Sequence, residues 1–410
     1  MNILNTLRNN WKKTVVFSMF LGYGVNTLKS NIEIKKYMSE FSVNIMNTRN
    51  IFESSPSPPQ NILVVMNPIA NNKNSEKMFK KFCEPILHLA GYSVEILRTN
   101  HIGHAKAYIE EIKDLPDIIV VAGGDGTKSE VVTGLLRRRG NLCPVAFLPL
   151  GRSRQSGYFN LGTNQELEYI KTLSNALMPV LKGQCKYENV IQYDVLNNDD
   201  SDESTNKLKP IFGMNGFSWG LLKDIDSSKE KYWYLGPLKH HISAFLRSFY
   251  SQLDWNLETD FIYTPPCSGC SNCCVEKDKL PTKGFLLSKL VSPIKGDPLK
   301  NQIKNDKCAT KVHGTITSNQ INISLNQNEY NFAELESRFI HSLEPGWSFI
   351  KNIPNITKKS IQPNLVVKSR TIQLYPTDNI PNIFYSIDGE EYEPRAIKIS
   401  VIPNAIKVFS

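Results

Sequence analysis

From Asn61 to Leu181 the apolar positions alternate between two rhythms. Short unbroken runs, Ile62 to Met66, Tyr92 to Leu97, Ile118 to Ala122 and Val145 to Leu148, read as strands. Between and after them, Ser75 to Ala90, Gly103 to Leu115, Thr127 to Arg138 and Gln165 to Leu181 read as helices. Such alternation predicts a doubly wound α/β domain, a parallel sheet with helices on both faces and ligands at the carboxyl ends of its strands. Asn67, Thr99, Asp125 and Gly151 all fall at such ends. Beyond Gly183 the rhythm changes to short β-rich runs broken by Asn, Pro and Gly: Val312 to Leu325, Phe339 to Ile350, Leu365 to Tyr375 and Ile397 to Val408. These predict an antiparallel β-sandwich. Asn197 to Lys209, acidic and polar, and Pro265 to Lys311, long and irregular, read as surface loops.

The sharpest local signal is Asp117 to Gly126, closed by Thr127. Its apolar, mostly β-branched residues suit a strand buried on both faces. Gly123, Gly124 and Gly126 then allow a close backbone approach, with Thr127 placed to cap a helix beginning around Lys128. A helix start offers phosphate both unpaired amides and a favourable dipole. A carboxylate beside phosphates makes sense through a divalent cation or a proton to be moved, which marks Asp125 as a candidate catalytic residue. The same turn also occurs in nucleotide binders that do no chemistry.

Composition adds the outer frame. The 410 residues, 40% hydrophobic and 21% charged, are enough for two cored domains. The formal charge of +9 favours anionic partners such as nucleotides or acidic lipid surfaces, and equally fits simple lysine-rich solubility. No basic run interleaved with aromatics points to nucleic acid. Arg8, Lys12 and Lys13 precede an apolar stretch from Val15 to Val25, with no acid before Glu33, the pattern of a targeting segment or shallow membrane anchor. The stretch is short for a bilayer span. A secretory signal is the rival, but no small-residue cleavage site follows. Ser54 to Gln60 forms a breaker-rich linker. The expected organisation is therefore an N-terminal segment and linker over 1–60, a nucleotide-binding domain over 61–183, and a sandwich over 184–410 with an irregular insertion at 265–311.

Several strings carry a wider resemblance: TLRNNWKK at the N-terminus, Asn67-Pro68, PILHLAG at 85–91, VVAGGDGT with EVVTGLLRR, LPLG at 148–151, KYWYLGPLK at 231–239 and SIDGEEYE at 386–393. In this order they resemble the diacylglycerol kinase catalytic-domain family, which includes sphingosine and ceramide kinases, and most closely its mitochondrial acylglycerol kinases. GGDGT alone is shared with NAD kinases and phosphofructokinases; KYWYLGPLK is far more specific. The resemblance implies ATP and magnesium as cofactors, an acylglycerol substrate, and a peripheral or anchored place at the mitochondrial inner membrane, facing the intermembrane space. It also implies that Asn67, Thr99, Gly123, Gly124, Asp125, Gly126 and Thr127 line the ATP site with Glu130 in support. Gly151 and Ser153 would meet phosphate, and Lys239 would add a basic phosphate contact. Asp388-Gly389-Glu390 is by spacing either a plain hairpin turn or a turn projecting two acids into one site. By resemblance Asp388 and Glu390 are the acidic pair that the sandwich contributes, with Asp125, for catalysis or magnesium.

The chain also departs from the pattern. Arg152, Ser153, Arg154 and Gln155 replace small residues after LPLG, and the arginines are read as gripping phosphate, obstructing the turn or facing an anionic membrane. Lys128-Ser129 stands where relatives carry an apolar-polar pair. Asp226 matches the acid with which sphingosine kinases bind the substrate amine, which keeps a sphingoid lipid as the alternative substrate. A kinase fold serving as scaffold in an inner-membrane protein translocase is a further alternative. Four of eight cysteines, Cys267, Cys270, Cys273 and Cys274, have spacing compatible with zinc, with disulfides and with free thiols.

Overall fold

The computed structural model describes residues 11–50, 59–70, 74–138, 140, 142–151, 165–196, 208–228, 242–243, 246, 256–267, 308, 310–327, 333–341, 362–377 and 383–410. Strands β1 (Asn61–Met66), β2 (Ser93–Arg98), β3 (Ile118–Gly123) and β4 (Val145–Pro149) pair in parallel in the order β2-β1-β3-β4. Successive strand residues point to opposite faces, so an all-apolar run fills two cores at once. Ile62, Val64, Met66, Val120 and Leu148 face helix Gln165–Lys182 and the helical stretch from Ser75 to Leu89. Leu63, Val65, Ile119, Val121 and Val145 face helices His104–Glu111 and Asp125–Arg137 through Ala105, Ile109, Val131 and Leu135. The stretch expected as one helix over 75–90 contains a π-helical turn, Phe79–Cys83.

The N-terminal apolar stretch lies in a long helix, Trp11–Asn50. Its later part is docked: Ile34, Phe41 and Ile45 are buried against the first core face and helix Gln165–Lys182. Its earlier part leaves Val16, Leu21, Val25, Leu28 and Ile32 exposed. Among the described residues, no helix is long and apolar enough to cross a membrane.

After Gly183 the connections become antiparallel. The strands are β5 (Cys185–Val195), β6 (Ile211–Gly213), β7 (Phe217–Gly220), β8 (Leu257–Thr264), β9 (Val312–Ser318), β10 (Gln320–Gln327), β11 (Ala333–Ile340), β12 (Leu365–Ser369), β13 (Thr371–Pro376), β14 (Tyr385–Ile387), β15 (Glu390–Tyr392) and β16 (Ile397–Phe409). Two of the expected runs each divide in two. Val312 to Leu325 breaks at Asn319, whose N–H donates to Ile340 O at 2.7 Å, and Leu365 to Tyr375 breaks at Arg370, whose N–H donates to Thr264 O at 2.9 Å. In each case the chain crosses from one sheet of the sandwich to the other, a corner that apolar content does not reveal. The run expected from Phe339 to Ile350 starts earlier, in strand Ala333–Ile340, and its residues 342–350 lie outside the described residues. Trp219, Tyr193, Phe339, Ile321, Ile372 and Ile399 pack between the sheets.

The two sheets of the chain are not partitioned between the two halves. Among the described residues, a ten-stranded sheet runs β2-β1-β3-β4-β16-β13-β8-β9, with β5 and β6 branching from β16. The junction is β16, which pairs antiparallel with β5 and β13 and meets β4 in parallel at Val408↔Val145. A bulge between Ile402 and Ile406 divides it, with Asn404 at φ +51 and its N–H donating to Asn189 Oδ1 at 3.0 Å. Before the bulge, Ile397 and Ile399 fill the sandwich core. After it, Ile406 and Val408 pack with Val132, Val190 and Phe212 at the junction of the halves. Ile399→Ala should therefore cost about 2–5 kcal/mol. Calorimetry and circular dichroism should show both halves melting together; a selective loss of the second half would contradict this coupling.

Candidate active site

The glycine turn is built from backbone contact. Gly124 is the helix N-cap, with φ −95 and ψ −169, and the helix begins at Asp125, three residues before the expected start. Thr127 is accordingly no cap. It is a buried residue of the first turn, packed so closely under Gly123 that a Cβ there would lie 2.8 Å from Thr127 Oγ1. The turn gains its cap from an extended glycine, which left the threonine free to pack; Asn67 Nδ2 donates to its hydroxyl at 3.5 Å. A Cβ on Gly151 would stand 2.6 Å from Gly124 Cα, so the turns after β3 and β4 touch through backbone alone. The first amides of the helix Asp125–Arg137 have no acceptor within the helix and open on this surface.

A cavity of about 430 Å³ lies on one side of the turn. Asn67, Thr99, Gly124, Gly126, Thr127, Glu130 and Gly151 line it from the first half, and Glu390 lines it from the second. The crossing is close, since a Cβ on Gly126 would lie 3.0 Å from Glu390 Oε1. Glu130 acts indirectly: its two oxygens accept the N–H groups of Gly103 at 2.8 Å and Ala105 at 3.1 Å, fixing the loop after β2. That loop brings in Asn100, His101 and Ile102, and the turn after β1 brings in Ile69; all four line the same cavity and were missed by motif reading. His101 stacks on His104 with centroids 5.1 Å apart, and Ile102 is 85% exposed at the cavity mouth. The topological rule that ligands sit beyond strand ends was the signal that marked Thr99 and applies equally to its neighbours.

A second, smaller cavity of about 80 Å³ lies beyond the turn, lined by Asp125, Lys128, Phe147 and Pro149. Gly124 and Gly151 line both cavities. Asp125 and Glu390 thus flank the glycine turn from adjoining spaces.

Asp388 and Glu390, expected as an acidic pair, face different surroundings from one hairpin, Asp388 inward onto backbone amides and Glu390 onto the larger cavity. Asp388 and Gly389 form the β14–β15 turn at φ +49 and +90, the paired positive φ values of a tight hairpin. This geometry drops the Asp388 side chain inward, where it is 3% exposed. Its carboxylate accepts N–H groups from Met214 at 2.8 Å, Asn215 at 3.0 Å and Gly216 at 2.9 Å. Burial raises its pKa, against those three amides and the charge of Lys128. Glu390, one step further, faces the larger cavity and accepts the Tyr392 hydroxyl at 3.1 Å. Burial foremost, then the Glu130 carboxylate, raises the Glu390 pKa, while the Tyr392 bond and Lys106 oppose the rise.

Asp226 falls within helix Leu221–Ser228, and its side chain lies outside the described residues. So do Ser153 with Arg152 and Arg154, Lys239 with the KYWYLGPLK string, and Cys270, Cys273 and Cys274; Cys267 follows β8. Among the described residues, no three His, Cys, Asp or Glu side chains gather as a metal cage.

The different placements of the two acids make separable predictions. Asp388→Ala strands three amides and puts a Cβ residue without a compensating acceptor at positive φ, so stability should fall by about 1–3 kcal/mol in denaturant titration. Glu390→Gln should stay within about 0.5 kcal/mol of wild type, as expected of a partly exposed cavity residue. Equal losses in both variants would refute the division.

Residues 61–185 match the diacylglycerol kinase catalytic domain family, and residues 214–410 match the acylglycerol kinase C-terminal family. The mitochondrial acylglycerol kinase of Homo sapiens is 27% identical over 98% of this chain and 95% of its own length. Sphingosine kinase 1 of Homo sapiens is 28% identical over 46% of this chain and 48% of its own. A solved diacylglycerol kinase structure from Bacillus anthracis str. Sterne superposes with a TM-score of 0.50 at 15% identity, covering 87% of this chain and 98% of that one, a likeness of fold. With a family domain matched in each half and a named relative aligned over nearly the whole chain, the chain belongs to the acylglycerol kinases of the diacylglycerol kinase catalytic-domain family and is a lipid kinase.

Proposed function

We propose that this lipid kinase transfers the γ-phosphoryl group of ATP to a free hydroxyl of a monoacyl- or diacylglycerol, at a mitochondrial membrane. The observation that carries the reading is the approach of Glu390 from the second half onto Gly126 at the start of the phosphate-binding helix. It supports a nucleotide in the first half (61–183) and an acyl acceptor in the second (184–410). Curated relatives named as mitochondrial acylglycerol kinases, aligned over nearly the whole chain, support the substrate and the compartment.

The larger cavity fits a nucleotide in volume and in its backbone-lined floor. Asn67, Thr99, Thr127 and the glycine turn would hold it, and Gly124 and Gly151 would direct the phosphates toward Asp125. A magnesium ion accompanying a triphosphate takes most of its oxygens from phosphate and water and asks one or two carboxylates of the protein. Asp125 and Glu390 are the carboxylates that fit this role, the ion supplying charge neutralisation; Asp388 is committed to three amides. In the transfer, the bond from Pγ to the ADP oxygen breaks as the bond to the acceptor oxygen forms. The acceptor's proton leaves late, to Asp125 or Glu390, because the transition state is loose and depends mainly on positioning.

Membrane attachment is supported by the exposed Val16, Leu21, Val25, Leu28 and Ile32 beside Lys12 on the N-terminal helix. The sphingoid alternative is favoured by Asp226 and by sphingosine kinase relatives. A radiolabelled-ATP assay with monoacylglycerol, diacylglycerol, sphingosine and ceramide separates them. Wild type should label an acylglycerol, and Asp125→Asn should lose about 10²-fold or more in kcat. Normal turnover by Asp125→Asn would overturn the mechanism, and label on sphingosine alone would overturn the substrate.

A further inference from the structure

The small cavity beyond the glycine turn is lined by a lysine that makes no direct ion pair among the described residues. Lys128 lies in the first helical turn, half-buried, with its N–H bonded to Gly124 O at 3.1 Å. Its ammonium sits over the face of Phe147, with Nζ 4.5 Å from the ring centroid. Among the described residues, it makes no hydrogen bond or ion pair. Asp388, whose carboxylate feels the Lys128 charge, is already engaged by the amides of Met214, Asn215 and Gly216. An ammonium over an aromatic face is held by attraction to the ring without using up its hydrogen-bond donors. Here it lines the cavity together with Asp125, Gly123 and Gly124.

We propose that Lys128 is a catalytic residue that contacts the terminal phosphoryl group of a triphosphate laid over the touching backbones of Gly124 and Gly151. The proposal rests on the nucleotide occupying the larger cavity. Gly124 and Gly151 line both cavities, so a triphosphate laid over them spans the two. At about 80 Å³ that second space is much smaller than the first and suits a phosphoryl group better than a nucleoside. Lys128 stands at its wall, so its charge is felt by the γ-phosphoryl group and is remote from the base and ribose. A lysine serves this purpose as a point charge on a mobile stem, able to follow the group during transfer. The reaction is unchanged: the same Pγ–O bond breaks and forms, and Lys128 donates hydrogen bonds to the non-bridging oxygens without giving up its proton. In the sequence, position 128 stands out only as a departure from the pattern of the relatives.

The test uses the full chain with Lys128→Met and Lys128→Arg. Equilibrium binding of ATP and of ADP, each with magnesium, reads the contact without any lipid. Lys128→Met should cut the preference for ATP over ADP by about tenfold, the size of one charge-assisted contact, and Lys128→Arg should restore most of it. In the lipid-labelling assay, kcat of Lys128→Met should fall at least tenfold with the KM for acylglycerol within about threefold. An unchanged ATP-to-ADP preference, or a kcat within twofold of wild type, overturns the proposal. If wild type labels no lipid while the binding preference still depends on position 128, the phosphate contact stands and the acylglycerol reading falls.

Discussion

The geometry of the site depends on a chain of hydrogen bonds that starts on one helix and brings an acid back into contact with it. Ser129 and Thr133 of helix Asp125–Arg137 each donate a hydroxyl to Phe212 O at 3.0 Å, and the Phe212 N–H returns to Thr133 Oγ1 at 3.0 Å. Phe212 belongs to β6, and directly after β6 come the three amides that Asp388 collects. Asp388 fixes the β14–β15 turn, and the next strand starts with Glu390, which faces back onto Gly126 of the same helix. Every link is short and buried or half-buried. Hydrogen bonds in such surroundings are strengthened electrostatically and are costly to leave unmade.

This chain of bonds explains why two acids separated by one glycine have different duties. An acid facing the cavity needs a rigid support, or its carboxylate would wander by more than catalysis tolerates. Asp388 provides that support by spending its charge on backbone. Close packing at Gly213, where a Cβ would lie 2.7 Å from Asp388 Oδ2, leaves it no other direction. The ion pair of Lys223 with Glu391 at 2.9 Å holds the same hairpin from its other side.

Much of this was legible from local pattern. The runs at Ile62 and Ile118 gave up both their strand character and their two-sided burial, because residues that are apolar without alternation have no solvent face to offer. The glycine turn was readable because only glycine permits the approach of Gly123 to Thr127 and of Gly151 to Gly124. What stayed hidden was decided by distant partners. No periodicity distinguishes β12 from β13, since their assignment to opposite sheets depends on pairing with β11 and β8. The direction of Asp388 depends on amides at 214–216, and the inclusion of His101 and Ile102 in the cavity depends on Glu130 holding their loop.

The crossing of β16 from sandwich to parallel sheet has a bearing on biosynthesis. On the ribosome, β4 and β5 emerge long before the strand that both of them require. During that interval the nascent polypeptide displays an unsatisfied sheet border, a template for wrong partners. The border closes only when β16 arrives, so the cleft between the halves is completed last.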